Sequence, residues 1–182
     1  MKTVNDFAIW IFHNNYSKKL QDDLLVIIVH LTIISILKII TDMENIQTTK
    51  TQNFFRILLG IFMIMAAIGH FTFQRADFQA QVPNWVPLDK DLVVILSGIV
   101  EMAIGLALVF MTRHKVKIGI FLAIFYVLVF PGNIAQYLNG TDALGMNTDQ
   151  ARLIRLFFQP VLILWALWSS GALAYLRRNR IS

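Results

Sequence analysis

The chain has 182 residues; 57% are hydrophobic, 15% are charged, and the formal net charge is +5. Soluble domains average roughly 45–50% apolar and about 25% charged residues, so this composition excludes a soluble domain without large apolar surface patches. The basic residues lie in short stretches beside apolar runs, which is typical of a membrane protein and not of a nucleic-acid-binding one. The absence of cysteine excludes disulfides, thiolate catalysis and thiolate metal sites, and no zinc-type spacing of other ligands occurs, so no metal is expected.

Residues 1–50 differ from the rest and are treated as a separate domain. Residues 1–23 mix charges with Trp10 and Phe12, which indicates an interfacial tail. The apolar run Leu24–Leu37 is about 14 residues, or roughly 21 Å of helix, and Lys38 can lengthen the span by snorkelling. We predict an additional, uncleaved N-terminal hydrophobic helix over about 24–41. A helix that lies in the membrane interface is the alternative.

Residues 51–182 contain four charge-poor segments that are long enough to cross a bilayer, which takes about 20 residues. The predicted fold is therefore an all-α integral membrane protein, in which a four-helix transmembrane bundle follows the additional N-terminal helix. The four segments are Ile57–Gln74, Leu92–Thr112, Ile118–Thr141 and Leu156–Leu176.

The distribution of Lys and Arg predicts the orientation. If all four segments cross, three basic groups fall on one side: Lys50 with Arg56, the loop Arg113–Lys117, and the carboxyl-terminal arginines. The positive-inside rule makes this side cytoplasmic. We expect a multi-pass protein of the plasma membrane with a cytoplasmic carboxyl terminus.

The loop that joins the first two core segments contains Pro83, Trp85 and Pro87. Tryptophan is enriched at the headgroup level of membranes, so Trp85 is interpreted as an interfacial anchor. The alternative is that these three residues form a lid over a cavity.

Polar residues inside the four segments share one predicted depth. Glu101 is flanked by about ten uncharged residues on either side. We expect five polar residues from four helices in the outer half of the membrane, above apolar inner halves: His70, Glu101, Asn133, Arg155 and Gln159.

Glu101 is expected to face the bundle interior. Ser97, Glu101 and Gly105 lie at i, i+4 and i+8 on one helix face, and small residues mark helix contacts in membranes. An ionised side chain at this depth costs about 2.5–3.5 kcal/mol on insertion scales, so it needs a partner, and His70 and Arg155 are the candidates. The cluster either locks the helices in register or forms a polar cavity that binds a ligand.

Five strings occur in the order found in one known family: "GHF" at 69–71, "VPNWVP" at 82–87, "SGIVEMAIGLAL" at 97–108, "FPGN" at 130–133 and "RLFFQPVLILWALW" at 155–168. Over roughly residues 53–168 the chain resembles the DoxX family of small bacterial membrane proteins. Many members carry proline two residues after the matching arginine; here that position is Phe157, and Pro160 follows instead. The resemblance places the polar signature of the family on His70, Pro83, Pro87, Glu101, Pro131, Asn133, Arg155 and Gln159.

The resemblance implies a four-helix bacterial membrane protein and, more loosely, a redox-linked role, since the family is named after a subunit of a thiosulfate:quinone oxidoreductase. We expect a membrane subunit that binds a quinone or lipid-like molecule at the polar cluster and carries no intrinsic cofactor. Such a subunit is not a complete enzyme by itself and needs a protein partner in the bilayer. A non-catalytic scaffold or assembly factor and, with less support, a small-solute transporter are the alternatives.

Overall fold

The computed structural model describes residues 27–178. The predicted interfacial tail at 1–23 lies outside this range, as do residues 24–26 at the start of the predicted extra helix. The chain divides into two compact units, Met1–Asp42 and Met43–Ser182. Within the described range the fold is all-α, since it contains helices and turns but no strand.

Residues 27–44 are helical, and we call this stretch α1. Its apolar side chains from Ile27 to Ile39 are exposed. Lys38, Asp42 and Glu44 add charge to its second half. Four other helices among the described residues are long and apolar enough to cross a membrane, and α1 is not one of them. Membrane crossing by this segment therefore stays a prediction.

Three of the four crossing helices begin where a polar side chain caps backbone N–H groups. Thr49 and Gln52 form a reciprocal capping box at the first crossing helix, and Asp89 and Thr148 accept from backbone N–H groups at two others. The helices are α2 (Lys50–Phe71), α3 (Arg75–Gln81), α4 (Lys90–Phe110), α5 (Lys115–Leu138), α6 (Asp149–Ser169) and α7 (Ala172–Arg178).

Helices α2, α4, α5 and α6 alternate in direction around one apolar core. The closest approach joins α2 to α4, where a Cβ atom added at Gly105 would lie 2.8 Å from the carbonyl oxygen of Gly60. Close backbone contact of this kind is how small residues hold membrane helices together. The core residues are Leu59, Met63, Ile104, Leu108, Leu122, Tyr126 and Ala166.

The last crossing helix differs from its predicted limits, 156–176. Helix α6 begins seven residues earlier, at Asp149, because Thr148 caps it. It ends at Ser169, because Gly171 adopts a φ of +81°, a left-handed conformation that favours glycine. The short helix α7 follows. Arg155 therefore lies two turns inside α6, and Gln159 lies near its middle.

Candidate functional site

Glu101 and His70 meet where α4 crosses the end of α2. Both residues are buried, and the Nδ1 atom of His70 lies 3.5 Å from the Oε2 atom of Glu101. That carboxylate oxygen is buried and has no hydrogen-bond partner among the described residues. Gly98 permits the approach, because a Cβ atom there would lie 2.9 Å from the Cβ of His70. The prediction that Glu101 faces the interior is confirmed.

A second contact of His70 indicates which ring nitrogen carries a hydrogen. Nδ1 lies 2.9 Å from the carbonyl oxygen of Ala66, one turn back in α2. A carbonyl oxygen can only accept, so Nδ1 carries a hydrogen and donates it there. The 3.5 Å separation from Glu101 is longer than a good hydrogen bond. Glu101 is thus next to a donor that is already engaged.

Asn133 and Gln159 connect α5 to α6. The Nδ2 atom of Asn133 donates to Oε1 of Gln159 at 2.9 Å, and Nε2 of Gln159 donates to the carbonyl of Tyr126 at 2.8 Å. All three residues are buried. Pro131 lies in the same stretch of α5, where its missing N–H weakens the backbone ladder. The amide of Gln159 supplies a side-chain donor to a carbonyl near this defect.

Among the described contacts, Arg155 binds glutamine side chains and does not pair with Glu101. Its Nη1 atom donates to Oε1 of Gln136 at 3.2 Å, and its Nη2 atom donates to Oε1 of Gln81 at 2.7 Å. The candidates thus form two groups, His70 with Glu101 between α2 and α4, and Asn133, Gln159 and Arg155 between α5 and α6. No described contact joins Glu101 to Arg155.

Helix α3 covers the end of the bundle and touches both groups. The ring of Phe78 stacks on that of His70 with centroids 3.5 Å apart, and Gln81 receives the hydrogen bond from Arg155. Arg75 binds Asp91 through two hydrogen bonds of 2.7 and 2.5 Å, and this bond raises the pKa of Arg75. Helix α2 ends beside Gly98, which lies two turns inside α4. The first two turns of α4 therefore extend beyond α2, and α3 fills the space beside them.

The predicted lid residues follow α3. Trp85 is 71% exposed, as an interfacial anchor would be, and Pro87 is also exposed. Pro83 is half-buried and accepts a backbone hydrogen bond from Val86. The contacts that reach the polar residues come from Phe78 and Gln81, one turn earlier. The sequence did not single these out, because an amide and an aromatic residue in a loop carry no specific signal.

Two cavities lie away from the polar groups. One, of about 270 Å³, is an apolar groove between α5 and α6, and the other, of about 490 Å³, lies beside Tyr137 and Asp149. Within residues 27–178, no three His, Asp or Glu side chains converge in a way that could hold a metal ion. The groups at the site can donate, accept and exchange protons, and can bind polar oxygen atoms.

Sequence comparison adds a family. The family described as "Domain of unknown function (DUF8561)" matches residues 59–170. The chain belongs to this family. No curated protein and no solved structure matches the chain. The DUF8561 region runs from the middle of α2 to the end of α6 and contains His70, Glu101, Asn133, Arg155 and Gln159.

A buried charge lies outside the DUF8561 region. Arg56 of α2 is 2% exposed, and the charge pattern of the sequence indicates only its contribution to orientation. A helical repeat could have identified it: Arg56, Gly60, Met63, Ala67 and His70 follow one another at spacings of three and four, and all are buried.

Proposed function

We propose that this DUF8561 protein is a membrane subunit that binds a small amphiphilic molecule of the quinone class for a redox-linked system. The unpartnered, buried Oε2 atom of Glu101 beside His70 carries the proposal. A buried carboxylate oxygen without a partner is costly, and such costs persist where a ligand repays them. The DoxX-like motifs described above support the same class of ligand.

The chemistry of Glu101 suits both redox forms of such a ligand. A quinone offers carbonyl oxygens that accept hydrogen bonds, and its reduced form offers hydroxyls that donate them. A carboxyl group donates one hydrogen bond when protonated and accepts when ionised. Glu101 can therefore hold either form. His70 can accept a proton at Nε2, since its Nδ1 hydrogen is directed to Ala66.

The polar group between α5 and α6 helps to position helix α3 over the Glu101–His70 pair. Arg155 holds Gln81 at the end of α3, and Phe78 of the same helix lies on His70. Helix α3 thus contacts both the Glu101–His70 pair and the polar group between α5 and α6. We propose that a ligand reaches Glu101 from the side covered by α3, because the opposite halves of the helices are packed with apolar core residues.

The distribution of Lys and Arg supports a proposed orientation of the protein in the membrane. Lys115 and Lys117 lie at the start of α5, Arg113 lies in the turn just before it, and Arg177 and Arg178 end α7. By the positive-inside rule, this basic end faces the cytoplasm of a bacterial plasma membrane and the α3 end faces outwards. Because the sequence contains no cysteine and no recognised cofactor-binding motif, electrons would be supplied by a partner protein in the membrane.

A non-catalytic scaffold is the second candidate. It is favoured by the internal pairing of Asn133 with Gln159 and of Arg155 with Gln136 and Gln81. A bundle that only holds partners together would satisfy its polar groups in this way. Transport is less well supported, because the buried core between α2, α4, α5 and α6 is apolar.

Quinone binding tests the proposal. The full chain in lipid nanodiscs is titrated with ubiquinone-1, and binding is followed by quenching of tryptophan fluorescence. We expect saturable binding that Glu101→Gln and His70→Gln each weaken by about tenfold, the loss expected when a hydrogen bond to a charged group is removed. Glu44→Gln is the matched control, since it makes the same chemical change at the end of α1, away from Glu101 and His70.

The outcomes separate the two candidates. Saturable binding that depends on Glu101 and His70 but not on Glu44 supports the ligand-binding role. Binding that is equal in all variants, or absent in a folded wild-type protein, contradicts it. Retention of a protein partner by Glu101→Gln, together with absent quinone binding, supports the scaffold.

A further inference from the structure

A second polar cluster lies at the basic end of the bundle and contains two buried cations. Arg56 of α2 is 2% exposed, and Lys115, the first residue of α5, is 8% exposed. The guanidinium group stays charged at all physiological pH values. The Lys115 ammonium lies close enough for its charge to interact with that of Arg56. Two like charges are therefore removed from water together.

The contacts of these cations are to neutral groups. Arg56 donates from Nη1 to the carbonyl of Leu108 and from Nη2 to Oγ1 of Thr112 at 3.4 Å, and Lys115 donates from Nζ to Oγ1 of Thr48 at 2.8 Å. Leu108 lies in the last turn of α4, so the negative end of that helix offsets part of the charge of Arg56. Across the described chain, neither cation forms an ion pair.

The acid at this end of the bundle is engaged elsewhere. Glu44 accepts from Nε of Arg113 at 2.8 Å and from Nζ of Lys117 at 3.4 Å, and its Oε1 atom lies 3.2 Å from Nδ1 of His114. One carboxylate thus already serves three basic side chains. Arg56 and Lys115 receive no compensation from it.

Two buried polar atoms at this end of the bundle lack a hydrogen-bond partner among the described residues. Nε of Arg56 and Oγ of Ser169 are buried, and neither has a hydrogen-bond partner within residues 27–178. Ser169 is the last residue of α6, whose Trp168 carbonyl accepts from Gln52, one turn before Arg56. A buried cation with an unused donor, close to a second cation, has the donor set of an anion site.

We propose that Arg56 and Lys115 bind a phosphate group at the basic end of the bundle. Arg56 is the seventh residue of α2, about 9 Å from the start of that helix, and Lys115 begins α5. Thr48 is half-buried and Thr112 is exposed, so a phosphate oxygen can reach the cations by replacing these two hydroxyls. The phosphate belongs either to a lipid headgroup or to a molecule in solution. This site is separate from the Glu101–His70 pair and does not depend on its function.

Lipid titration with matched variants tests the proposal. The full chain in detergent is titrated with dihexanoyl phosphatidylglycerol, with dihexanoylglycerol, which lacks the phosphate, and with inorganic phosphate at constant ionic strength. Binding is read from the shift in melting temperature. We expect Arg56→Gln and Lys115→Gln each to weaken phosphate-dependent binding by about tenfold, as for loss of a charged hydrogen-bond partner. The control Arg113→Gln removes the same charge from a side chain that is 78% exposed and should change affinity by less than about twofold.

Each outcome decides the matter. Binding of the phospholipid alone assigns the phosphate to a headgroup, and binding of inorganic phosphate with the same dependence on Arg56 and Lys115 assigns it to a soluble molecule. Equal binding of dihexanoylglycerol, an equal loss in Arg113→Gln, or unchanged binding in both site variants overturns the proposal. If Arg56→Gln does not fold, Lys115→Gln decides alone, since Lys115 is the first residue of α5 and lies outside the apolar core cluster.

Discussion

The Nδ1 atom of His70 lies 2.9 Å from the carbonyl of Ala66 and 3.5 Å from Oε2 of Glu101. Its hydrogen is directed to the nearer acceptor, so Glu101 keeps a buried oxygen without a partner in the described part of the chain. This geometry distinguishes Glu101 from Asn133, which donates to Gln159, and from Gln159, which in turn donates to the carbonyl of Tyr126. A residue retained for structure alone should be paired, whereas a residue retained for a ligand can be costly without it.

The first prediction concerns stability. Glu101→Gln removes a buried carboxyl group whose Oε2 atom lacks a partner among the described residues, and it keeps the shape of the side chain, so the variant should be more stable without a ligand. A gain of about 1 kcal/mol corresponds to a rise of about 2–4 °C in melting temperature for a protein of this size. Thermal unfolding in detergent measures it. A fall in melting temperature would show that Glu101 is a structural partner of His70.

Asn133 and Gln159 should behave in the opposite way. Substitution of either by alanine leaves the other amide buried without its partner, and the double variant should cost less than the two single losses together. A coupling free energy of about 0.5–1.5 kcal/mol is expected for hydrogen bonds between membrane helices. A double-mutant cycle measures the coupling. Ser97→Ala combined with Asn133→Ala is the control and should show additive losses.

The α2–α4 contact should not tolerate a larger residue. A Cβ atom at Gly105 would lie 2.8 Å from the carbonyl oxygen of Gly60 and 2.8 Å from a side-chain carbon of Ile64. Gly105→Ala should therefore destabilise the protein by about 1–3 kcal/mol, the usual cost of overpacking. At Gly132 the nearest atom to an added Cβ is 3.3 Å away. Gly132→Ala is the control, and an equal loss there would refute the importance of this contact.

Stability at low pH should depend on Glu44. The hydrogen bond from Arg113 holds the pKa of Glu44 below its ordinary value of 4.5. A group whose folded-state pKa is lowered stabilises the fold above its unfolded pKa, and this contribution is lost as the pH falls through the folded value. Between pH 7 and pH 3.5, Glu44→Gln should lose less melting temperature than the wild type. Parallel pH curves for the two proteins would rule out this role.

The sequence allowed the crossing helices to be predicted, because apolar length determines which segments can span a bilayer. It also predicted the inward face of Glu101, since Ser97 and Gly105 share that face. The partner of Glu101 could not be chosen between His70 and Arg155, because periodicity places a residue on its own helix but does not give the rotation of one helix against another. The cover formed by Phe78 and Gln81 depends on where α2 ends relative to α4. Hydropathy gives the length of each helix but not this offset between the two helices.

A structure determined by electron cryomicroscopy from protein in native lipid nanodiscs would show whether Glu101 contacts a ligand. We expect density for a small amphiphilic molecule with an oxygen atom within hydrogen-bond distance of Oε2 of Glu101, on the side covered by Phe78 of α3. Mass spectrometry of the extracted molecule would identify its class. A well-resolved map in which Oε2 contacts only protein atoms or water would contradict ligand binding at Glu101 and favour the scaffold.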